Sequence, residues 1–298
     1  MQTQYPLVLF TLFLCVSSGM LGFQGLLLAQ GRGTRRFHMA MLGCEAAALA
    51  VGGIASFLHL HHWERLFNGF MHLSSGITQE LFGVAALAVV IVVLFLLVRR
   101  SNEGQPAAPK WAGIVALVVA VILGFVCAHS YDMPSRPAWH GVGLFAYYYA
   151  SELLLGAVCT WLVAVATKVD DAVCGLLGRA SAVAGAIAAV VMIACAFGFT
   201  TIGYHDLGIV WHTTMPCAPA ADPGAAAASV ISGSNALLFW GGAVVLGAIV
   251  PLSAAVAAGR KAGLRLPAAG VAAVCALAGG VCYRVVLYVV AVGFYVYF

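Results

Sequence analysis

Three ionisable residues lie within long apolar stretches of the sequence, where charged groups are costly. His59 lies in GIASFLHLHH, Glu80 in SSGITQELF and Arg284 in LAGGVCYRVVLY. A histidine accepts protons near neutral pH, a carboxylate relays them, and a fixed cation offsets the negative charge that results. These residue types predict a proton-transfer site. Each has a structural alternative: Glu80 facing a helix dipole, Arg284 pairing with a carboxylate, and His59 bonding to a loop.

Helical spacing places further polar residues on the same faces. Glu45 lies fourteen residues before His59, and Tyr288 lies four after Arg284, so each pair shares one side of a helix. Small residues between Glu45 and His59 leave room for close packing or for a flat ring. Glu152 falls near the middle of its apolar run. Glu45 and Glu152 could be functional, or they could be neutral and structural.

The nine cysteines are scattered and form no C-x-x-C pair. Most fall inside apolar runs, where cysteine behaves as a small hydrophobic residue. This spacing argues against an iron–sulfur cluster or a zinc site held by the chain.

The composition shows which elements must position these residues. Hydrophobic residues make up 63% of the chain and charged residues 8%, and the mean hydropathy is +1.02. Soluble domains carry roughly 25% charged residues, so lipid must be the solvent of this chain. The net charge of +4 is spread over short loops, which excludes a nucleic-acid-binding stripe. The predicted fold class is all-α, a polytopic transmembrane bundle that forms one integral membrane domain over 1–298.

Eight apolar runs approach or exceed the roughly 20 residues that a bilayer-spanning helix needs. The first is too long for a signal-peptide core and is predicted to be a retained helix. The connector 201–230 is too polar at its start, and too interrupted by proline, to be a ninth span. The predicted spans are about 5–29, 39–60, 77–98, 111–130, 141–166, 176–200, 231–258 and 267–297.

Basic residues predict the orientation of these spans. Eleven of the 14 Lys and Arg residues follow the first, third, fifth and seventh spans, whereas only Arg65 and Arg136 lie on the opposite side. Because cytoplasmic loops collect Lys and Arg, both termini are predicted on the outer (periplasmic) side. All histidines except His38 also fall on that side. Uncharged histidine replacing lysine outside the membrane would explain the same distribution.

Three stretches of the chain resemble the membrane-anchor subunit of dimethyl sulfoxide reductases. They are YPLVLFTLFLC, then IASFLHL followed by RLFN and SSGITQEL, and finally LAGGVCYRVVLY, and the motifs are specific mainly over 54–82 and 277–288. The resemblance implies eight helices with both ends outside. Two positions depart from the family pattern: His61 stands where a glycine is usual, and Gly280 where a carboxylate is usual. Glu80 is therefore the predicted partner of Arg284.

By this resemblance, the chain anchors a heterotrimeric molybdenum reductase in the bacterial cytoplasmic (inner) membrane. It would bind menaquinol, oxidise it to menaquinone, and pass the electrons to a four-cluster, ferredoxin-like iron–sulfur subunit. A molybdopterin catalytic subunit would then reduce dimethyl sulfoxide or a similar acceptor in anaerobic respiration. The resemblance implies that both partners dock on the outer face and that the anchor carries no haem.

Within this resemblance, His59 and Glu80 are the predicted proton acceptors. Together with Arg284 and Tyr288, they form the predicted quinol pocket. The pocket is expected to open to lipid between the second, third and eighth helices, with the loop 201–230 capping it or docking the iron–sulfur subunit. Because protons and electrons would leave on the same side, the reaction is predicted to be electroneutral.

Two other functions remain open. In a quinol-oxidising anchor that contains haem b, His59 and His129 could be axial ligands of one haem near the outer surface. The other is a secondary transporter, although transporters favour broken helices and internal repeats. Here Pro251 is the one proline well inside a predicted span.

Overall fold

The computed structural model describes residues 3–59, 72–102, 105–202 and 223–292. These ranges are mainly helical and contain no strand, and eight of their segments are long and apolar enough to cross a membrane. The all-α bundle of eight spans is therefore confirmed. The spans are α1 (Tyr5–Ala29), α2 (Arg35–His59), α3 (Gly76–Arg100), α4 (Lys110–Ser130), α5 (Val142–Ala166), α6 (Asp171–Phe199), a seventh that joins a π-helix (Leu237–Ile249) to α8 (Val250–Arg260), and α9 (Arg265–Val290).

Two spans begin four or five residues earlier than predicted because polar residues cap their first turns. α2 starts at Arg35 and α6 at Asp171, in place of the predicted starts at 39 and 176. The side chains of Thr34 and Asp170 each accept a hydrogen bond from the backbone N–H three residues further on. Such caps satisfy N–H groups that the first turn leaves free, so the helix can include polar residues ahead of the apolar run.

The seventh span begins later than predicted. A separate short helix, α7 (Pro223–Ile231), precedes it, and the chain turns before Leu237. The turn residues are Ser-Gly-Ser-Asn, and Asn235 bonds back to Ser229 through both its backbone and its side chain. The π-helix gives way to α8 beside Pro251, which lacks the N–H that a regular helix requires. Residues 203–222 of the predicted loop and 293–298 of the predicted last span lie outside the described residues.

The outward faces of the bundle are apolar. Val89, Val190 and Val274, for example, are more than half exposed although they lie in the middle of long helices. In water such faces would be unstable, whereas in lipid they are the expected surface. The structure therefore describes a multi-pass membrane protein.

Glycines hold the central helices together at close range. α1 packs against α2, α4 and α5, and α9 packs against the seventh span and α5. At three crossings a glycine on each helix leaves no room for a Cβ atom against the facing backbone. These pairs are Gly19 with Gly156, Gly25 with Gly113, and Gly247 with Gly279. The end of the bundle where α1 begins and α9 ends is called the outer end, after the predicted orientation.

Candidate functional site

Arg284 is buried between α9, α1 and α5, with 3% of its surface exposed. Its Nε donates to the hydroxyl of Thr11 at 3.0 Å, and its Nη1 donates to the hydroxyl of Tyr147 at 3.0 Å. The hydroxyl of Ser151 accepts from both Nη atoms at 3.3 Å. Arg284 lies six residues before the end of α9, about 9 Å from the outer end. The three spans thus hold a guanidinium in a fixed orientation inside the membrane.

No carboxylate pairs with Arg284 among the described residues. Its remaining acceptors are the backbone oxygens of Thr11 and Gly280 and the sulfur of Cys15, at 3.2 to 3.3 Å. The predicted ion pair with Glu80 is therefore wrong. The physical reason lies in the packing, because α1 and α5 supply enough neutral acceptors to satisfy the buried cation.

The predicted opening between the second, third and eighth spans is also wrong. The eighth span, α9, packs chiefly against the seventh span and α5 and has no substantial contact with α2 or α3. Because α1 contacts both α2 and α9, α1 occupies the place where the opening was predicted.

Glu80 is buried near the start of α3, about 6 Å from its first residue. Its carboxyl lies beside the thiol of Cys127, and its Oε1 has no hydrogen-bond partner among the described residues. Glu80 and Arg284 both lie within electrostatic range of Cys127 and Tyr148. The structure thus brings the predicted carboxylate and cation to one level of the membrane without direct contact between them.

Aromatic side chains close this region toward the outer end. Tyr288 packs edge-on against Trp139, with ring centroids 5.2 Å apart, and Trp139 packs edge-on against Tyr131 at 6.1 Å. The indole N–H of Trp139 donates to the backbone oxygen of Leu287 at 2.8 Å. Burial raises the pKa of Tyr131 well above its usual range, with a smaller contribution from the Glu80 carboxylate. The Tyr131 phenol therefore stays neutral and can donate a hydrogen bond.

The space left between these groups is small. A cavity of about 20 Å³ is lined by Thr11, Tyr148, Arg284 and Tyr288, among others. This volume accommodates about one water molecule and no aromatic ring. In the described part of the chain, Arg284 and Tyr288 therefore share a cavity, but a quinol head group would not fit between them.

His59 is the last residue of α2, and its side chain lies outside the described part of the structure, as do residues 60–71. Its place in the quinol pocket with Glu80 therefore stays a prediction. His129, the second predicted haem ligand, is exposed and stacks on Phe125, which is 51% exposed on the outward face of α4. That position does not favour a haem held inside the bundle.

Two further buried carboxylates differ in their surroundings. Glu152 lines an apolar groove between α1, α4 and α5. Glu45 is fully enclosed, and neither of its carboxylate oxygens has a hydrogen-bond partner in the described residues. Of these two carboxylates, Glu152 is the one that lines a groove open to the lipid.

The sequence interpretation missed the residues that hold Arg284. Thr11 and Cys15 are four apart on α1, and Tyr147 and Ser151 are four apart on α5. Each pair forms a short polar stripe on one face of an apolar helix. That spacing was available in the sequence, but hydroxyl and thiol groups are common in spans and attract attention only once their partner is known.

Eight apolar spans around a buried, hydrogen-bonded arginine define a polytopic membrane protein with a polar centre close to one face. Residues 1–290 match the family of the DMSO reductase anchor subunit (DmsC). The chain belongs to this family, as its sequence motifs suggested. No curated protein matches the chain. Membership makes it a membrane-anchor subunit of DMSO reductase, which associates with catalytic and electron-transfer subunits.

Proposed function

We propose that this anchor binds menaquinol near the outer end of the bundle, oxidises it, and delivers its electrons to an iron–sulfur subunit. The observation that carries the proposal is that two buried ionisable groups lie at one depth without contacting each other. Among the described residues, Glu80 is a buried carboxyl with one unpartnered oxygen, and Arg284 is a buried cation whose acceptors are all neutral. Ionisable side chains inside a membrane span are costly and commonly mark a functional site.

The chemistry requires acceptors for two protons and two electrons. His59 takes one proton from a quinol hydroxyl, and Glu80 takes the other and relays it toward water. Arg284 does not contact the head group; it stays charged and, from a similar depth, lowers the cost of negative charge on Glu80. Tyr288 holds Trp139 over this region and limits the entry of water. The two electrons leave to the iron–sulfur subunit, so the quinol becomes a quinone.

The charge distribution of the loops supports the orientation of the complex. Eleven basic residues lie at the end where α1 meets α2, and the positive-inside rule favours a cytoplasmic location for that end. Both termini are then periplasmic in a bacterial cytoplasmic membrane. The four-cluster iron–sulfur subunit docks at the outer end, next to the quinol site, and the molybdopterin subunit follows it.

The test is a pair of substitutions in the intact complex, His59→Ala and Glu80→Gln. Each should lower quinol-driven reduction of dimethyl sulfoxide at least about a hundredfold, since each removes a proton acceptor. Reduction driven by a viologen dye should stay normal, because the dye feeds electrons directly to the partner subunits. The matched control is Glu45→Gln, which changes an equally buried carboxyl far from the outer end. Normal quinol turnover in both variants would overturn the proposal.

A second test concerns the membrane potential. Quinol protons and electrons leaving at the same face move no charge across the bilayer. The complex in sealed liposomes should therefore turn over quinol without polarising the membrane, as followed with a potential-sensitive dye. A sustained potential that an ionophore collapses would contradict outer-face oxidation.

A further inference from the structure

A groove opens to the lipid between α1, α4 and α5, below the Arg284 cluster. Its volume is about 300 Å³, some fifteen times that of the cavity beside Arg284. The floor is formed by small residues, Gly19, Gly22 and Ala120, and the rim by larger apolar residues such as Phe23 and Leu153. Ligand pockets commonly span roughly 300 to 1,000 Å³. The groove can therefore hold a ring that the outer cavity cannot.

Two ionisable residues line this groove, Glu152 and Tyr149. The Tyr149 hydroxyl donates to the backbone oxygen of Val121 at 2.9 Å, and the Ser18 hydroxyl bonds to the Glu152 carboxyl. Glu152 is 7% exposed, and its Oε1 has no hydrogen-bond partner among the described residues. Its carboxyl lies so close to Gly124 of α4 that a Cβ atom there would overlap it. Glu152 is ten residues into α5, about 15 Å from the start of that helix and so near the middle of the bilayer.

A carboxyl oxygen at this depth without a partner among the described residues restricts the class of ligand. An acyl chain fills apolar space but offers no donor to the carboxyl. A phospholipid head group is anionic or zwitterionic, is repelled or poorly placed, and stays at the membrane surface. A molecule with a flat apolar body and a hydroxyl donor satisfies both the groove and Glu152.

We propose that this groove is a second binding site for a lipid-soluble hydroquinone, whose hydroxyl donates a hydrogen bond to Glu152. The assignment rests on the proposed function only in the choice of quinol as the ligand. The neighbouring residue Ser151 accepts hydrogen bonds from Arg284, so the groove adjoins the outer cluster through α5. Its depth makes it a holding site on the lipid side, and oxidation takes place nearer the outer end.

Photolabelling tests this assignment without relying on turnover. The intact complex in phospholipid nanodiscs is incubated with a photoreactive naphthohydroquinone, irradiated, and digested, and the labelled peptides are identified by mass spectrometry. Peptides from α1, α4 or α5 around Gly22, Ala120 and Glu152 should carry the label. Unlabelled hydroquinone should compete with the probe, whereas its dimethyl ether, which lacks hydroxyl donors, should not.

Two variants separate the groove from the rest of the bundle. Glu152→Met removes the acceptor at similar volume and should lower groove labelling about tenfold, and Gly22→Leu should block it by filling the floor. Glu45→Met is the matched control and should label normally. Size-exclusion chromatography and dye-driven activity verify that each variant assembles.

The second site would be overturned if groove labelling were unchanged in both Glu152→Met and Gly22→Leu. It would also be overturned if the dimethyl ether competed as strongly as the hydroquinone. The proposed oxidation site fails separately, through normal quinol turnover in His59→Ala and Glu80→Gln. Groove labelling that persists in those two variants supports a second, independent site.

Discussion

The inner and outer ends of the bundle both bury ionisable side chains, but they differ in how fully the hydrogen bonds of these side chains are satisfied. At the inner end, His38 is fully enclosed, its Nε2 donates to the backbone oxygen of Arg32 at 2.9 Å, and its Nδ1 faces the amide of Gln24 at 3.4 Å. That amide also bonds to the backbone oxygen of His38 at 2.9 Å. Toward the outer end, Glu80 and Glu152 each keep a buried oxygen without a partner in the described residues.

The comparison shows that burial alone does not mark a functional residue. His38 joins α1 to α2 at a tight turn, where Gly33 has a φ of 93° and a Cβ atom would lie 2.6 Å from the histidine ring. Its ring nitrogens are satisfied inside the protein, so its role is structural. Glu80 and Glu152 each keep one oxygen without a partner among the described residues, and Glu152 lines a groove open to the lipid. An unmet hydrogen bond beside an accessible space is the stronger indication of function.

The largest effect is expected for Arg284→Lys, which changes the polar cluster near the outer end. Lysine keeps the charge but cannot reach the six acceptors that the planar guanidinium contacts from three helices. Quinol-driven turnover should fall about a hundredfold while dye-driven activity is kept, a loss of about 3 kcal/mol in transition-state stabilisation. Steady-state kinetics with both electron donors measures it.

The matched control is Arg265→Lys at the inner end. Arg265 pairs with the exposed Asp171, and exposed ion pairs contribute little, so both activities should stay normal. Equal quinol turnover in Arg284→Lys and the wild type would show that only the charge of Arg284 matters, and that its network is structural like that of His38.

A smaller effect, on stability alone, is expected for His38→Ala. The substitution removes the ring's two contacts and leaves a cavity at the turn, so unfolding should become easier by about 2–4 kcal/mol. Thermal unfolding of the purified complex in detergent measures the change, with the exposed His72→Ala as control. Quinol turnover per assembled complex should not change. A turnover defect without a loss of stability would make the inner end functional and remove the contrast.

The sequence predicted the bundle well because its signals are physical and local. Eight apolar runs of sufficient length determine eight spans. The predicted boundaries were misplaced where Thr34 and Asp170 cap helices, and where Ser-Gly-Ser-Asn separates α7 from the seventh span. The partner of Arg284 could not be predicted in this way. It depends on which helices are neighbours, and that order is set by close glycine crossings such as Gly19 with Gly156, which apolar periodicity does not reveal.

The smallest effect is expected for Glu45→Met. This substitution tests whether an unpartnered buried oxygen by itself indicates a functional residue. Glu45 is at least as buried as Glu80 and Glu152, it does not line the groove that contains Glu152, and both of its oxygens lack partners in the described residues. Methionine has a similar volume and no polar atom to satisfy, so Tm should stay equal or rise slightly and quinol turnover should not change. The same substitution at Glu80 should abolish quinol turnover.

A clear fall in Tm for Glu45→Met would mean that its oxygens are hydrogen-bonded in the membrane, most simply by buried water. Glu45 would then belong with His38 among the satisfied groups, and an unpartnered oxygen would no longer distinguish Glu80 and Glu152 unless an open groove accompanied it.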